Sequence, residues 1–365
     1  MKSSQSVDGI LLSLTLALCV IGIIILASAS SVAAFQNLGD PNGYVTKQII
    51  SLCLGIAIML LLARVPYLHW QKWAVPILVV SFLLVVALFI PGVGTSLLGA
   101  KRWIAFGGLF FQPSELLKLA LILFLARWFT KLGDLEREPQ RVFVRLLILI
   151  GAIGGMLILQ PDLGTSIVIV GIATVLYVAA GAPGRYIALL FAAGVVAIML
   201  LITFEPYRAA RLTIFLNPSS SQQDEGYHIN QSLLAIGSGG LFGRGYGRSI
   251  QKFNYLPEAE GDSIFAIAAE ELGFFMVVGL VALYVGFFWR GQQLARRLSD
   301  PFGRLIMVGV ITWVTLQAFV NIGALSGILP LTGVPLPFIS NGGTSLIITL
   351  AAIGIALNVS KSVRV

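Results

Sequence analysis

Runs of about 20 mostly apolar residues, the length a helix needs to cross a bilayer, recur along the chain. They begin near Ile10, Gln48, Ala74, Pro113, Arg145, Thr165, Arg185, Ser263, Gly303 and Gly343. Barrel strands would be about half that length and would alternate apolar with polar positions, which these runs do not. The pattern therefore predicts an all-α polytopic membrane protein of about ten transmembrane helices, a single membrane domain over residues 1–365. A large external loop, at about residues 205–262, is expected between spans seven and eight. Around QPDLGT (Gln160 to Thr165), Pro161 and Gly164 interrupt one long apolar region, and a tight turn is placed there between the fifth and sixth spans.

Composition sharpens this picture. Of 365 residues, 57% are hydrophobic and 11% charged, where a soluble domain carries about 25% charge, and the mean hydropathy is +0.93. A soluble enzyme, a disordered tail, a fibrous repeat and a secreted disulfide scaffold are excluded. Cys19 and Cys53 both lie inside apolar runs, so neither a disulfide framework nor a cysteine metal site is expected.

The net charge of +8 acquires meaning only when sorted by side of the membrane. With the N-terminus inside, the cytoplasmic segments collect Arg64, Lys72, Arg127, Lys131, Arg137, Arg141, Arg145, Arg185, Arg290, Arg296, Arg297, Arg304, Lys361 and Arg364, as the positive-inside rule requires. Both termini are then cytoplasmic. Against that trend, the large external loop holds Arg208, Arg211, Arg244, Arg248 and Lys252, which suggests an anionic partner, either a substrate or lipid headgroups. A second external basic pair, Lys101-Arg102 beside Trp103, reads either as part of the same surface or as an interfacial anchor.

Within the large loop, Ile229, Leu233 and Ile236 recur at near-helical spacing, which predicts an amphipathic helix over Tyr227 to Ile236 lying on the membrane surface. His228 is expected as an interfacial polar residue; with His69 on the opposite side, no histidine metal site can be built. GSGGLFGRGYGR (Gly237 to Arg248) satisfies neither GxGxxG nor a Walker pattern, so it is expected to be a flexible loop packed close to lipid or substrate rather than a nucleotide site.

The sharpest candidate is Asp262, in YLPEAEGDSIFAIAAEELG (Tyr255 to Gly273), where Pro257 and Gly261 break the chain just before an apolar helix. It could cap that helix by accepting backbone N–H bonds, and a carboxylate held at a helix mouth could also take a proton from a sugar hydroxyl as general base. Glu258 and Glu260 are second choices, expected as solvated loop charges. Charges inside spans are costly. Glu115 and Lys118 in QPSELLK lie three apart on one helical face and can neutralise each other, or form a polar wall beside a headgroup cavity. Asp162 could cap the sixth span or line that cavity, and at least one of Glu270 and Glu271 must face protein or water. The last external loop, SGILPLTGVPLPFISNGGTS (Ser326 to Ser345), is uncharged and rich in Pro and Gly, which predicts a re-entrant or cavity-lining segment.

GVGTSLLGAKRWI, QPSELLKL, QPDLGTS, EPYRAARLTIFLNP, GYHINQSLLAIGSGGLFGRG, YLPEAEGDSIFAIAAEELG and GILPLTGVPLPFISNGG together resemble the SEDS family (shape, elongation, division and sporulation), the polytopic peptidoglycan glycosyltransferases of the FtsW, RodA and SpoVE type. The resemblance covers nearly the whole chain and leans toward the FtsW and SpoVE branch. Glu260-Gly261 stands where many relatives have His-Thr, and Asn341 where many have Tyr.

The resemblance implies polymerisation of lipid II, an undecaprenyl-pyrophosphoryl disaccharide-pentapeptide, into glycan strands at the outer face of the bacterial cytoplasmic membrane. Asp262 matches the family's essential carboxylate, expected to act as general base while an acceptor 4-hydroxyl attacks the donor's anomeric carbon with inversion. Lys101, Arg102, Arg208 and Arg211 are candidates to stabilise the pyrophosphate leaving group, with a divalent cation such as Mg or Mn as a candidate helper and no other cofactor. Glu115 and Lys118 match supporting positions. The implied partner is a class B penicillin-binding protein, the transpeptidase that would crosslink the product; no nucleic acid is expected. Two rival readings remain at this point, a lipid II flippase using Glu115, Lys118, Asp162 and Glu270, and a noncatalytic scaffold of the cell-wall synthesis complex.

Overall fold

A chain that must satisfy its backbone hydrogen bonds without water does so within helices, and helices dominate here. The computed structural model describes residues 6–97, 100–106, 109–131, 138–204 and 225–363. The helices are α1 (Gly9–Ala29), α2 (Ser31–Leu38), α3 (Gly43–Leu62), α4 (Leu68–Ala87), α5 (Pro113–Lys131), α6 (Pro139–Leu159), α7 (Leu163–Ala179), α8 (Gly184–Phe204), α9 (Glu225–Ser238), α10 (Ile264–Arg297), α11 (Pro301–Leu325) and α12 (Gly343–Ser360). Ten of them correspond to the ten expected spans, and α2 and α9 are short additions. Seven are long and apolar enough to cross a membrane by themselves. Of the other three, α5 carries four charges, α7 has 17 residues and the described part of α8 ends at Phe204.

Several helices start earlier than the apolar runs. The span expected near Ala74 begins at Leu68, and the one expected near Arg145 begins at Pro139. Polar residues such as Lys72 and Arg141 still belong to the helix, because helical hydrogen bonds do not require an apolar side chain where the end of the helix is wet.

Burial separates the centre of the bundle from its rim. In the most apolar stretches of α11 and α12, 83% and 78% of residues are buried, against 17% in α3 and α4. α11 packs on α5, α7, α10 and α12, while α3 lies along α12 and α4 along α5. At one end of the bundle Asp8 accepts from Arg290, and the Asp8 N–H donates to Ser360 Oγ at 3.0 Å. The Asp262 loop sits at the opposite end of α10.

One feature was not expected from an all-helical pattern. The segment between α4 and α5 forms a three-stranded antiparallel sheet, β1 (Gly94–Leu97), β2 (Ala100–Phe106) and β3 (Leu109–Phe111), in the order β1-β2-β3. Its strands are too short to register as an apolar run, yet Trp103, Ile104 and Phe110 give it the β-branched and aromatic content that strands favour.

α10 is interrupted at Gly273 (φ 77°, ψ −179°), a conformation open essentially to glycine alone. A break inside a span exposes carbonyls on one side and N–H groups on the other. Here the segment Gly240–Gly245 supplies their partners. The N–H groups of Arg244 and Gly245 donate to the Glu270 and Glu271 carbonyls at 2.9 and 3.0 Å. Those of Phe274 and Phe275 donate to Gly240 and Leu241 at 2.9 and 3.3 Å. A Cβ at Gly273 would lie 2.2 Å from the Gly243 nitrogen, and one at Gly243 2.2 Å from the Glu271 carbonyl oxygen. The glycine-rich stretch is therefore not the flexible loop that its composition suggested; its glycines permit close backbone pairing with a broken helix, while Leu241 and Phe242 stay exposed. Gly273→Ala combines a forbidden backbone geometry with that clash, and a destabilisation of about 3 kcal/mol or more is expected. A thermal midpoint in detergent equal to that of the parent protein would refute the assignment.

Candidate active site

The polar side chains that the sequence singled out fall into three groups. The first surrounds Asp262. Its partly exposed side chain stands just before α10, but the N-cap of α10 is Ser263, with no side-chain cap bond. Asp262 thus stands one residue before the cap position that its sequence suggested. What fixes Asp262 is its backbone: Asn321 on α11 donates from Nδ2 to the Asp262 carbonyl at 2.7 Å and to the Val334 carbonyl at 2.8 Å. The flanking residues are also tied down. Ser340 Oγ donates to the Gly261 carbonyl at 2.6 Å, and the Asn341 N–H donates to the Glu260 carbonyl at 2.9 Å. Ser263 Oγ lies 3.4 Å from Asp262 Oδ1 and 2.6 Å from His228 Nε2.

The segment opposite, Ser326 to Ser345, enters the bundle as expected, with Val334, Leu336, Phe338 and Ile339 at most 4% exposed. Its carbonyls are met by side chains from several helices. Gln317 donates to Pro335 at 2.9 Å, Tyr284 to Pro337 at 2.5 Å, and Gln48 to Ser340 at 3.1 Å. Such irregular backbone is tolerated at membrane depth only when protein satisfies it. Within this segment Gly333 (φ 64°) lies beside the carboxylate; a Cβ there would stand 3.6 Å from Asp262 Oδ2.

Glu258 and Glu260 share the Asp262 loop. The protein packed around Glu258, and then the charges of Glu260 and Asp262, raise its carboxyl to about 7, although its tip reaches solvent. Burial, and then Asp262, also raise Glu260. Glu258 is exposed, as expected of a loop charge, and Glu260 is partly buried. A carboxyl raised on folding stabilises the fold below its unfolded value, here 4.5, and that contribution is lost as pH rises through the folded value. The loop is therefore expected to lose amide protection, corrected for intrinsic exchange, between pH 5 and pH 8, and Glu258→Gln should flatten that change. Equal protection at both pH values in the parent protein would refute it.

The second group is intramembrane. Glu115 and Lys118 on α5, both 1% exposed, meet at 2.8 Å. Lys118 also donates to Gln317 Oε1 at 2.8 Å and lies 4.9 Å from the Trp313 ring centroid, and Ser345 donates to Glu115 at 3.1 Å. Gln317 in turn accepts from Trp313 Nε1 at 2.9 Å. The ion pair thus supports α11 and the re-entrant segment that hold the Asp262 loop. Glu270 and Glu271, 1% and 3% exposed, both face protein. Glu271 accepts from Ser28 at 2.7 Å and from Lys252 at 3.0 Å, and Glu270 accepts from Ser249 Oγ at 2.5 Å.

The third group is basic. Arg102 on β2 reaches the α6–α7 turn, donating to the carbonyls of Gln160 and Pro161 and lying 4.0 Å from Asp162. Asp162 is the N-cap of α7, accepting from the Thr165 N–H at 3.2 Å, and so takes the capping role of the two left open. Lys101 is exposed on the same strand. Arg208 and Arg211 lie outside the described residues. The surface helix appears as α9; its buried side carries Ile229, as expected, with Ser232 and Ala235, while Leu233 is 39% exposed. Among the described residues no three His, Cys, Asp or Glu side chains converge as metal ligands, so the candidate divalent cation has no preformed donor set there.

Asn321, Gln317, Ser263 and Ser340 were not singled out from the sequence. Trp313, Gln317 and Asn321 recur every four residues in the apolar run of α11, a polar stripe on one helical face that could have exposed two of them.

Comparison with known proteins identifies relatives along almost the whole chain. The family model FTSW_RODA_SPOVE, described as "Cell cycle protein", matches residues 9–365. A probable peptidoglycan glycosyltransferase FtsW from Geobacter metallireducens is 38% identical over 364 residues, covering 100% of this chain and 97% of the relative. Stage V sporulation protein E from Bacillus subtilis is 39% identical, covering 98% of each. Among solved structures, a chain of a peptidoglycan synthase complex that coordinates polymerization and crosslinking superposes with a TM-score of 0.81 at 29% identity, covering 97% of each chain. The rod shape determining protein RodA of Thermus thermophilus gives 0.71 at 29% identity, covering 98% of this chain and 97% of that one. With a matched family model across almost its whole length, and close relatives over all of it, the chain is a multi-pass membrane protein that belongs to the FtsW/RodA/SpoVE family.

Proposed function

We propose that this protein is a peptidoglycan glycosyltransferase that polymerises lipid II on the outer leaflet of the bacterial cytoplasmic membrane, with both termini cytoplasmic. The observation that carries the reading is Asp262: its own carbonyl and that of Gly261 are held by Asn321 and Ser340, and its carboxylate stands beside Gly333, one residue before the α10 cap. The acceptor 4-hydroxyl attacks the donor's anomeric carbon, forming the new glycosidic bond as the bond to the pyrophosphate breaks, and Asp262 takes the hydroxyl proton. Undecaprenyl pyrophosphate leaves without protonation, since its charge is already delocalised.

Cationic stabilisation of that leaving group falls to Lys101, Arg208 and Arg211, with Arg102 shared between this task and its anchorage to the α6–α7 turn. Glu115 and Lys118 act as support. Their pairing with each other, and the pairing of Glu270 and Glu271 with loop residues, favour this reading over a flippase, whose pathway charges should line an open route.

The partner is a class B penicillin-binding protein, in keeping with the resemblance to a chain from a complex that coordinates polymerization and crosslinking. The test is polymerisation of labelled lipid II in proteoliposomes holding this protein and its cognate transpeptidase, with moenomycin present to silence ordinary glycosyltransferases. Glycan strands are expected, and a folded, partner-bound protein that makes none overturns the reading.

A further inference from the structure

We propose that His228 is a positioning residue for the reaction, acting through the hydroxyl of Ser263 on the turn that carries Asp262; the inference rests on the glycosyltransferase reading above. Ser263 is 0% exposed. Its hydroxyl has one proton and three neighbours: His228 Nε2 at 2.6 Å, the Pro257 carbonyl at 2.7 Å and Asp262 Oδ1 at 3.4 Å. A carbonyl and a carboxylate oxygen can only accept. If His228 also accepted, the single proton would be contested three ways, and the Pro257 oxygen would face a lone pair at contact distance. The consistent assignment has Nε2–H of His228 donating to Ser263, which leaves the serine proton to the Pro257 carbonyl. His228 thereby fixes the hydroxyl oxygen, and the hydroxyl in turn holds the Pro257 carbonyl at 2.7 Å, pinning the turn from Pro257 to Ser263 that carries Asp262.

Two features make this a built arrangement. The buried side of α9, with Ile229, Ser232 and Ala235, seats the helix against α10 and α11 and brings its first turn to the start of α10. At the far end, Gly239 lies so close to α10 that a Cβ would meet the Ala269 carbonyl oxygen at 2.1 Å. α9 is thus held at both ends, and His228 is aimed by the fold rather than placed at the surface for solubility.

The same vesicle assay tests it. His228→Ala is expected to lower kcat about tenfold, the scale of one lost oriented hydrogen bond, with KM for lipid II nearly unchanged. His228→Gln should restore most of the loss, because its amide N–H can donate to Ser263. Ser263→Ala should match His228→Ala, and the double variant should be no worse than either alone, as expected of residues acting in one chain. A parent-like kcat in His228→Ala, a loss that Gln does not restore, or losses that multiply in the double variant would overturn the proposal. Activity of the parent protein in the same vesicles tests the underlying reading separately, so the two failures are distinguishable.

Discussion

Asp262→Asn is expected to reduce lipid II polymerisation by about 10²–10⁴, the usual contribution of a positioned general base, while leaving the protein folded. The substitution keeps the shape of the side chain and removes only its capacity to take a proton. It should not disturb the loop, because Asn321 grips the Asp262 carbonyl, and Ser340 and Asn341 grip the carbonyls of Gly261 and Glu260. Helix α10 should be equally unaffected, its cap being Ser263. Initial rates of glycan formation, with thermal midpoints measured on the same preparations, check both halves. Polymerisation at the parent rate in Asp262→Asn would unseat the residue as base while leaving the enzyme intact.

The second large effect is on stability and lies within the membrane. Glu115 and Lys118 are both 1% exposed and 2.8 Å apart. Removing one partner leaves an uncompensated buried charge, at a cost of about 3–5 kcal/mol. Lys118→Met alone, or Glu115→Gln alone, should therefore lower the thermal midpoint in detergent markedly and reduce the yield of monodisperse protein. The combined variant Glu115→Gln with Lys118→Met should recover most of the loss, since exchanging a buried pair for neutral groups is often close to neutral. Recovery will be incomplete, because Lys118 also donates to Gln317, and Gln317 holds the Pro335 carbonyl of the re-entrant segment. Single variants as stable as the parent would mean that the pair does not support the bundle.

These two sites differ in how they could be found. The Glu115–Lys118 pair was legible because both residues lie on one helix at a spacing of three, and helical geometry alone makes them neighbours. Asp262 was legible as a carboxylate at the boundary of an apolar run, and its assignment as base came from the family resemblance. Its setting was not legible. Asn321 lies 59 residues away from it, and Gln48 meets Ser340 across 292 residues. No local pattern contains contacts of that range.

By itself the sequence determined the ten spans, their helical nature, the QPDLGT turn and the positions of the buried charges. Hydropathy and helical period are local properties that bilayer thickness and backbone satisfaction convert directly into structure. Only the tertiary structure decided that Asp262 leaves the cap to Ser263, that the glycine-rich stretch pairs with a helix broken at Gly273, that a small sheet carries Lys101 and Arg102, and that α9 buries Ile229, Ser232 and Ala235. Each of these depends on which distant donor meets which acceptor once the helices have packed, and that choice belongs to the assembled bundle rather than to any window of the chain.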